Sequence, residues 1–135
     1  MLFHLPAASS FTMRYLVLAA AIFLTAPGAR AAPLPPAARA EIGALLTSLE
    51  RSGCEFNRNG SWHSGSEAKT HLLRKLQYLE DKDAVSTTEQ FIERGASTSS
   101  STGKPYLVRC PGAAPIESKQ WLMARLATVR ASAGK

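Results

Sequence analysis

The sequence predicts an α+β domain: a small three-stranded antiparallel sheet, made of a hairpin over residues 54–64 and a strand over 105–110, packed with about four helices and stapled by one disulfide. Three observations carry this prediction. Apolar residues recur at three- and four-residue spacing in several segments, which is the helical period. Asn59-Gly60 stands between Phe56 and Trp62, a hairpin turn flanked by aromatics. The two cysteines, Cys54 and Cys110, stand at the start of that hairpin and at the end of an alternating stretch.

Residues 1–31 read as a cleaved export signal. Tyr15 to Leu24 is an unbroken apolar run behind Arg14, and Ala29 and Ala31 form an A-x-A cleavage site that puts the mature start at Ala32. The run is too short for a permanent membrane anchor. Met13, directly before Arg14, offers a second possible start of translation. The chain holds sixteen Lys and Arg against ten acids. With Arg14 and Arg30 in the leader, the remainder keeps fourteen cations against ten anions, so its surface is basic. Roughly 100 residues make one small domain, which gains noticeably from a covalent staple. An exported chain meets an oxidising compartment, so Cys54 and Cys110 are expected to pair. A redox pair or half of a metal site is disfavoured, since there is neither a C-x-x-C nor a further set of spaced ligands.

Residues 32–36 form an extended leader, because each proline disfavours helix in the residue before it. The domain is expected to occupy 37–130, with a frayed tail over 131–135. Ile42, Leu45, Leu46 and Leu49 make one apolar stripe, and Gly53 supplies the stop, so the first helix runs about Pro36 to Ser52. The hairpin admits two registers. A two-residue turn pairs Asn57 with Trp62 and sends Phe56 to the opposite face; a three-residue turn, Arg58-Asn59-Gly60, pairs Phe56 with Trp62. The second is preferred because both aromatics then share one buried face.

Ser64-Gly65-Ser66-Glu67 is a capping box that opens a second helix. Ala68, Leu72, Leu76 and Leu79, with Leu73 beside them, face the core, while Lys69, Arg74, Lys75 and Lys82 face water. The helix ends near Asp81 to Asp83. Ser86-Thr87-Thr88-Glu89 repeats the signature before a short third helix that carries Phe91 and Ile92 and stops at Gly95. Residues 96–104 have loop composition. Tyr106, Val108 and Cys110 then alternate as one face of a strand. Ser118 is expected to cap a last helix through Trp121, Leu122, Leu126 and Val129.

Four blocks together resemble one family: Cys-Glu-Phe-Asn-Arg-Asn-Gly-Ser-Trp at 54–62, Glu-Ala-Lys-Thr-His-Leu-Leu-Arg-Lys-Leu at 67–76, Glu-Gln-Phe-Ile-Glu at 89–93, and Ser-Ser-Ser-Thr-Gly-Lys-Pro-Tyr-Leu-Val-Arg-Cys at 99–110. They are similar to the YfeK-like family of small exported bacterial proteins of unknown function, over roughly Ala37 to Val129. The resemblance implies export and a single domain, and it carries no catalytic residue over.

Candidate chemistry is sparse. Glu67 and His71 lie four apart on the second helix, where a carboxylate could orient an imidazole for a small periplasmic hydrolase with a loop serine. The H-E-x-x-H pattern is absent, Glu67 already has a capping role, and no metal set is expected. Ser101-Thr102-Gly103-Lys104 matches S-x-x-K only formally, since Gly103 and Pro105 oppose the helix that motif needs. A phosphate loop also fails, with Thr98 where a glycine is required. The constellation that remains is basic and hydroxyl-rich: Arg58, Asn59, His63, Ser99, Ser101, Lys104 and Arg109, at the hairpin and the loop before the third strand. The expected function is a non-catalytic periplasmic protein, without cofactor, that binds an envelope protein or an anionic ligand there. A purely structural or oligomeric module is the bland alternative. Nucleic acid is not expected as a partner, because the charge is spread, no binding module is present and export removes the usual targets.

Overall fold

The computed structural model describes residues 33–135, so the expected signal segment and its cleavage site lie outside the described residues. Among the described residues four helices and four strands follow in this order: α1 (Pro36–Arg51), β1 (Glu55–Arg58), β2 (Ser61–Ser64), α2 (Gly65–Asp81), α3 (Thr88–Gly95), β3 (Leu107–Arg109), β4 (Ile116–Glu117) and α4 (Ser118–Ala133). All strand pairs are antiparallel, in the order β2-β1-β3-β4. The α+β prediction holds, but the sheet has four strands rather than three. The added strand has only two residues, Ile116 and Glu117, too few to show alternation among the prolines and alanines around them.

Helix α1 packs against α2, α3 and α4, while α2 covers β1 and β2 and α4 covers β3 and β4. The core runs from Ile42, Leu45, Leu46 and Leu49 of α1 through Leu72 and Leu76 of α2 to Phe91, Ile92, Leu122 and, on the sheet, Phe56 and Val108. Leu34 in the leader is buried too, so that segment is tied to the core. Helix α4 runs to Ala133, three residues into the tail expected to fray.

The hairpin takes the two-residue register. Asn57 pairs with Trp62 and Phe56 with His63, and the turn residues Asn59 and Gly60 have φ of 52° and 86°. Both central positions of a type I′ turn need positive φ, and its twist matches that of the strands, so the Asn-Gly pair outweighs aromatic pairing. Phe56 packs instead against Tyr106, with ring centroids 5.0 Å apart. Trp62 goes to the other face, beneath Arg109.

Local signals hold with three shifts. The Ser64–Glu67 capping box is complete. Before α3 the cap is Thr87, one residue later than expected; it accepts from Gln90 N, while the Gln90 side chain accepts from Ser86 N. Ser118 does not cap α4: it is fully buried and donates to the Ala96 carbonyl, joining α4 to the end of α3. Leu73 is 43% exposed, outside the core. Where α2 begins, Gly65 lies so close to α1 that a Cβ would stand 2.5 Å from the Leu49 carbonyl oxygen. Cys54 and Cys110 are bonded across 56 residues of chain, joining the start of β1 to the end of β3.

Candidate functional site

One side of α2, the β1–β2 turn and the loop between α3 and β3 enclose a cleft. His71, Arg74, Lys75 and Tyr78 sit three and four residues apart, so they form a stripe beside the apolar one that α2 buries. Arg58 reaches the cleft from β1 because the two-residue turn puts it on the same face as Phe56. The loop contributes Ser99, Ser100 and Ser101, and Tyr106 follows at the foot of β3. Hydrogen bonds from Ser99 N to Lys104 O and from Gly103 N to Ser99 O fold the loop back on itself, and Thr102 Oγ1 donates to Asn59 Oδ1 to tie it to the hairpin tip.

The cleft has two lobes that share Arg58, His71 and Arg74. The larger, of about 400 Å³, adds Asn59, Lys75, Tyr78, Tyr106 and the serines. The smaller, of about 310 Å³, adds His63, Ser66, Glu67 and Thr70.

A hydrogen-bonded row crosses the floor. Arg58 Nη1 lies 3.0 Å from His71 Nδ1, and His71 Nε2 lies 3.3 Å from the Tyr106 hydroxyl. An arginine can only donate, so Nδ1 accepts and Nε2 carries the proton toward Tyr106. Lys75 Nζ donates to the same hydroxyl at 3.2 Å and to the Thr98 carbonyl at 3.1 Å. Lys75 therefore does not simply face water. Burial, then the cations Arg58, Lys75 and Arg74 and finally His63, push the His71 pKa down to about 4, so the imidazole is neutral at pH 7. Burial, with Arg58 adding to it, lowers the Lys75 pKa. Burial raises that of Tyr106, against the pull of Arg58. Among the described residues no carboxylate forms an ion pair with Arg58, Arg74 or Lys75.

The residues expected from sequence are divided. Arg58, Asn59, Ser99 and Ser101 line the larger lobe, and His63 lines the smaller. Lys104 lines neither, and Arg109 is on the opposite face of the sheet, paired with Glu55 at 2.5 Å and lying 4.0 Å above the Trp62 ring. The expected grouping of Arg58, Lys104 and Arg109 is thus replaced by Arg58, Arg74 and Lys75. Arg74, Tyr78 and Tyr106 lie outside the expected set, and His71 enters it only as an acid–base or metal-ligand candidate beside Glu67. The stripe on α2 was visible as spacing, but the hairpin register decided that Arg58 faced it.

The Glu67–His71 pair expected of a hydrolase does not form. Glu67 accepts from Ser64 N and Ser64 Oγ, and the bonds from Ser64 lower its pKa, so it serves the cap rather than His71. Both His71 nitrogens are taken by Arg58 and Tyr106, and an imidazole depressed to about 4 is a poor base at neutral pH. Among the described residues no cluster of three or more His, Cys, Asp or Glu side chains could hold a metal ion, and no helix is long and apolar enough to cross a membrane.

Fold and site together define a small disulfide-stapled α+β domain with a cationic, hydroxyl-lined cleft. Residues 36–130 match the family described as "Family of unknown function (DUF5329)", and the chain belongs to that family. It is 44% identical over 68 residues to "Uncharacterized protein YfeK" of Salmonella typhimurium, an alignment covering 50% of this chain and 55% of that protein. The chain therefore spans about half the length of that curated relative. No solved structure matches it.

Proposed function

We propose that this is a non-catalytic, exported binding protein that takes an anionic ligand into the cleft between α2, the hairpin tip and the serine loop. The observation that carries the reading is the convergence of Arg58, Arg74 and Lys75 on one cleft, none of them in an ion pair among the described residues. Charge-assisted bonds to an anion are roughly twice as strong as neutral ones, and a partly desolvated site is screened less by salt. Ser99, Ser101 and the Tyr106 hydroxyl add neutral donors.

Export to the periplasm rests on the apolar run from Tyr15 to Leu24 and its A-x-A site, and it suits a chain whose two cysteines are bonded. Intact mass of the exported protein tests that part: it should begin at Ala32 and be two hydrogens lighter than the dithiol. For the cleft, thermal shift against a panel of small anions at low and high salt is the test. Stabilisation should weaken with salt and vanish in Arg58→Gln and Arg74→Gln. A panel without effect would remove the anion reading, and capture of an acidic protein dependent on the same arginines would replace the small ligand with a macromolecular one.

A further inference from the structure

We propose that the ligand is a phosphate monoester with an aromatic or similarly planar body, its dianion seated where the two lobes meet and its body lying along Tyr78. The inference rests on the anion-binding reading above and narrows it to a chemical class. Arg58 and Arg74 line both lobes, and Lys75 stands beside them in the larger one. Three cations from a strand and a helix surround this junction. A monoanionic carboxylate would leave most of that charge uncompensated in a half-buried cleft, whereas a phosphate monoester brings nearly two negative charges and three strong acceptor oxygens. One oxygen can be offered to each cation, with lone pairs left for Ser99 and Ser101. The polar side chains at the junction are biased toward donation, as an acceptor-only ligand requires: Arg58, Arg74 and Lys75 have no acceptor, and the His71 acceptor nitrogen is already occupied by Arg58.

The direction of the body follows from the difference between the lobes. Glu67 places a carboxylate in the smaller lobe, which keeps the dianion toward the larger lobe and leaves the smaller one less suited to the ligand. The larger lobe carries no acid and ends at Tyr78, an aromatic side chain that is 61% exposed. An exposed ring on the rim of a cationic cleft is a stacking surface one helical turn from Arg74 and Lys75. The lobe's volume of about 400 Å³ is within the range of small-ligand sites.

The test is calorimetric titration of the disulfide-intact protein at pH 7 and low salt with three probes: inorganic phosphate, phenyl phosphate and benzoate. Phenyl phosphate should bind roughly tenfold more tightly than inorganic phosphate, the increment expected of one aromatic contact. Benzoate, which has the ring without the dianion, should bind at least roughly tenfold more weakly than phenyl phosphate. Tyr78→Ala should bring phenyl phosphate down to the level of inorganic phosphate, and Arg74→Gln, at an exposed position that does not threaten the fold, should weaken both phosphate probes roughly tenfold or more. Equal binding of benzoate and phenyl phosphate would overturn the phosphate class while leaving an anion site in place. Phosphate binding unchanged in Arg74→Gln, or no binding by any probe, would overturn the site and the class together.

Discussion

Arg58 and Arg109 stand on neighbouring strands of one sheet, and the molecule treats them in opposite ways. Arg109 lies on the open face, clamped to Glu55 and stacked over Trp62, so its charge is neutralised by a partner of its own. Arg58, on the covered face, is held by a neutral acceptor, the Nδ1 of His71, and keeps its charge. A guanidinium anchored by an acid is spent on structure. One anchored by an imidazole is oriented yet not paired with an acid, and it lines the cleft.

The largest test removes what holds the two faces in register. Cys54 precedes β1 and Cys110 follows β3, so the bond fixes Glu55 opposite Arg109 and Phe56 opposite Val108. Replacing both cysteines with serine should cost about 4 kcal/mol on the chain-entropy account of a loop this long. Urea denaturation measures it, and a loss below about 1 kcal/mol would mean that packing alone sets the register.

Next comes the comparison of the two arginines as ligand contacts. Arg58→Gln should weaken phosphate binding by roughly tenfold to a hundredfold, the range for losing a bond between charged groups, while Arg109→Gln should leave it unchanged. Equal losses would mean that binding does not distinguish the cleft from the open face, and the cleft would not be the site.

How much of this was legible beforehand follows the range of the interactions involved. Helix α1, the Ser64–Glu67 capping box and the Cys54–Cys110 pair follow from local spacing or from compartment, and they stand as read. Strand β4 escaped because Ile116 and Glu117 are strand only by pairing with Val108 and Leu107, a long-range fact. The cleft escaped in part for a smaller reason. The three-residue turn would make Arg58 a turn residue, whereas the two-residue turn keeps it in β1, two residues beyond Phe56 and on the same face. Backbone preference at Asn59 and Gly60 was the stronger signal. Lys75 looked solvated by spacing alone, since only Tyr106 and Thr98, more than twenty residues away, draw it inward.

The neutral imidazole that distinguishes the Arg58 face should also mark stability against pH. The His71 pKa falls to about 4 in the folded protein against about 6.5 in the unfolded chain. Between those values the unfolded chain binds more protons, so stability is flat above about pH 7 and falls as the pH drops from about 6.5 toward about 4. Allowing for screening at a side chain still partly exposed to solvent, the loss should be about 1–2 kcal/mol. Glu67 and Glu89, whose pKa values are lowered by hydrogen bonds, contribute a loss of the same sign at lower pH. Urea midpoints of wild type and His71→Gln from pH 7.5 to 4 separate these contributions: glutamine can still accept from Arg58 but does not titrate, so the difference between the two curves belongs to His71. Parallel curves would show that the charge of Arg58 is not held by a neutral ring.

The smallest effect should come from the open face, and its smallness is the point of the comparison. Arg109→Ala removes an ion pair with Glu55 and a cation–π contact with Trp62, both partly exposed, and such contacts contribute about 0.5–1 kcal/mol each at most. The cost should shrink further with added salt, because the ion pair is screened while the Trp62 contact is less affected. Arg109 neither lines the cleft nor touches the His71 row, so ligand affinity and the pH profile of stability should match wild type. Denaturation at low and high salt, with a phosphate titration alongside, reads all three. A change in the titration would mean that the two faces communicate through β1, whose Glu55 and Arg58 face opposite ways, and the division between a spent arginine and an available one would then have to be abandoned.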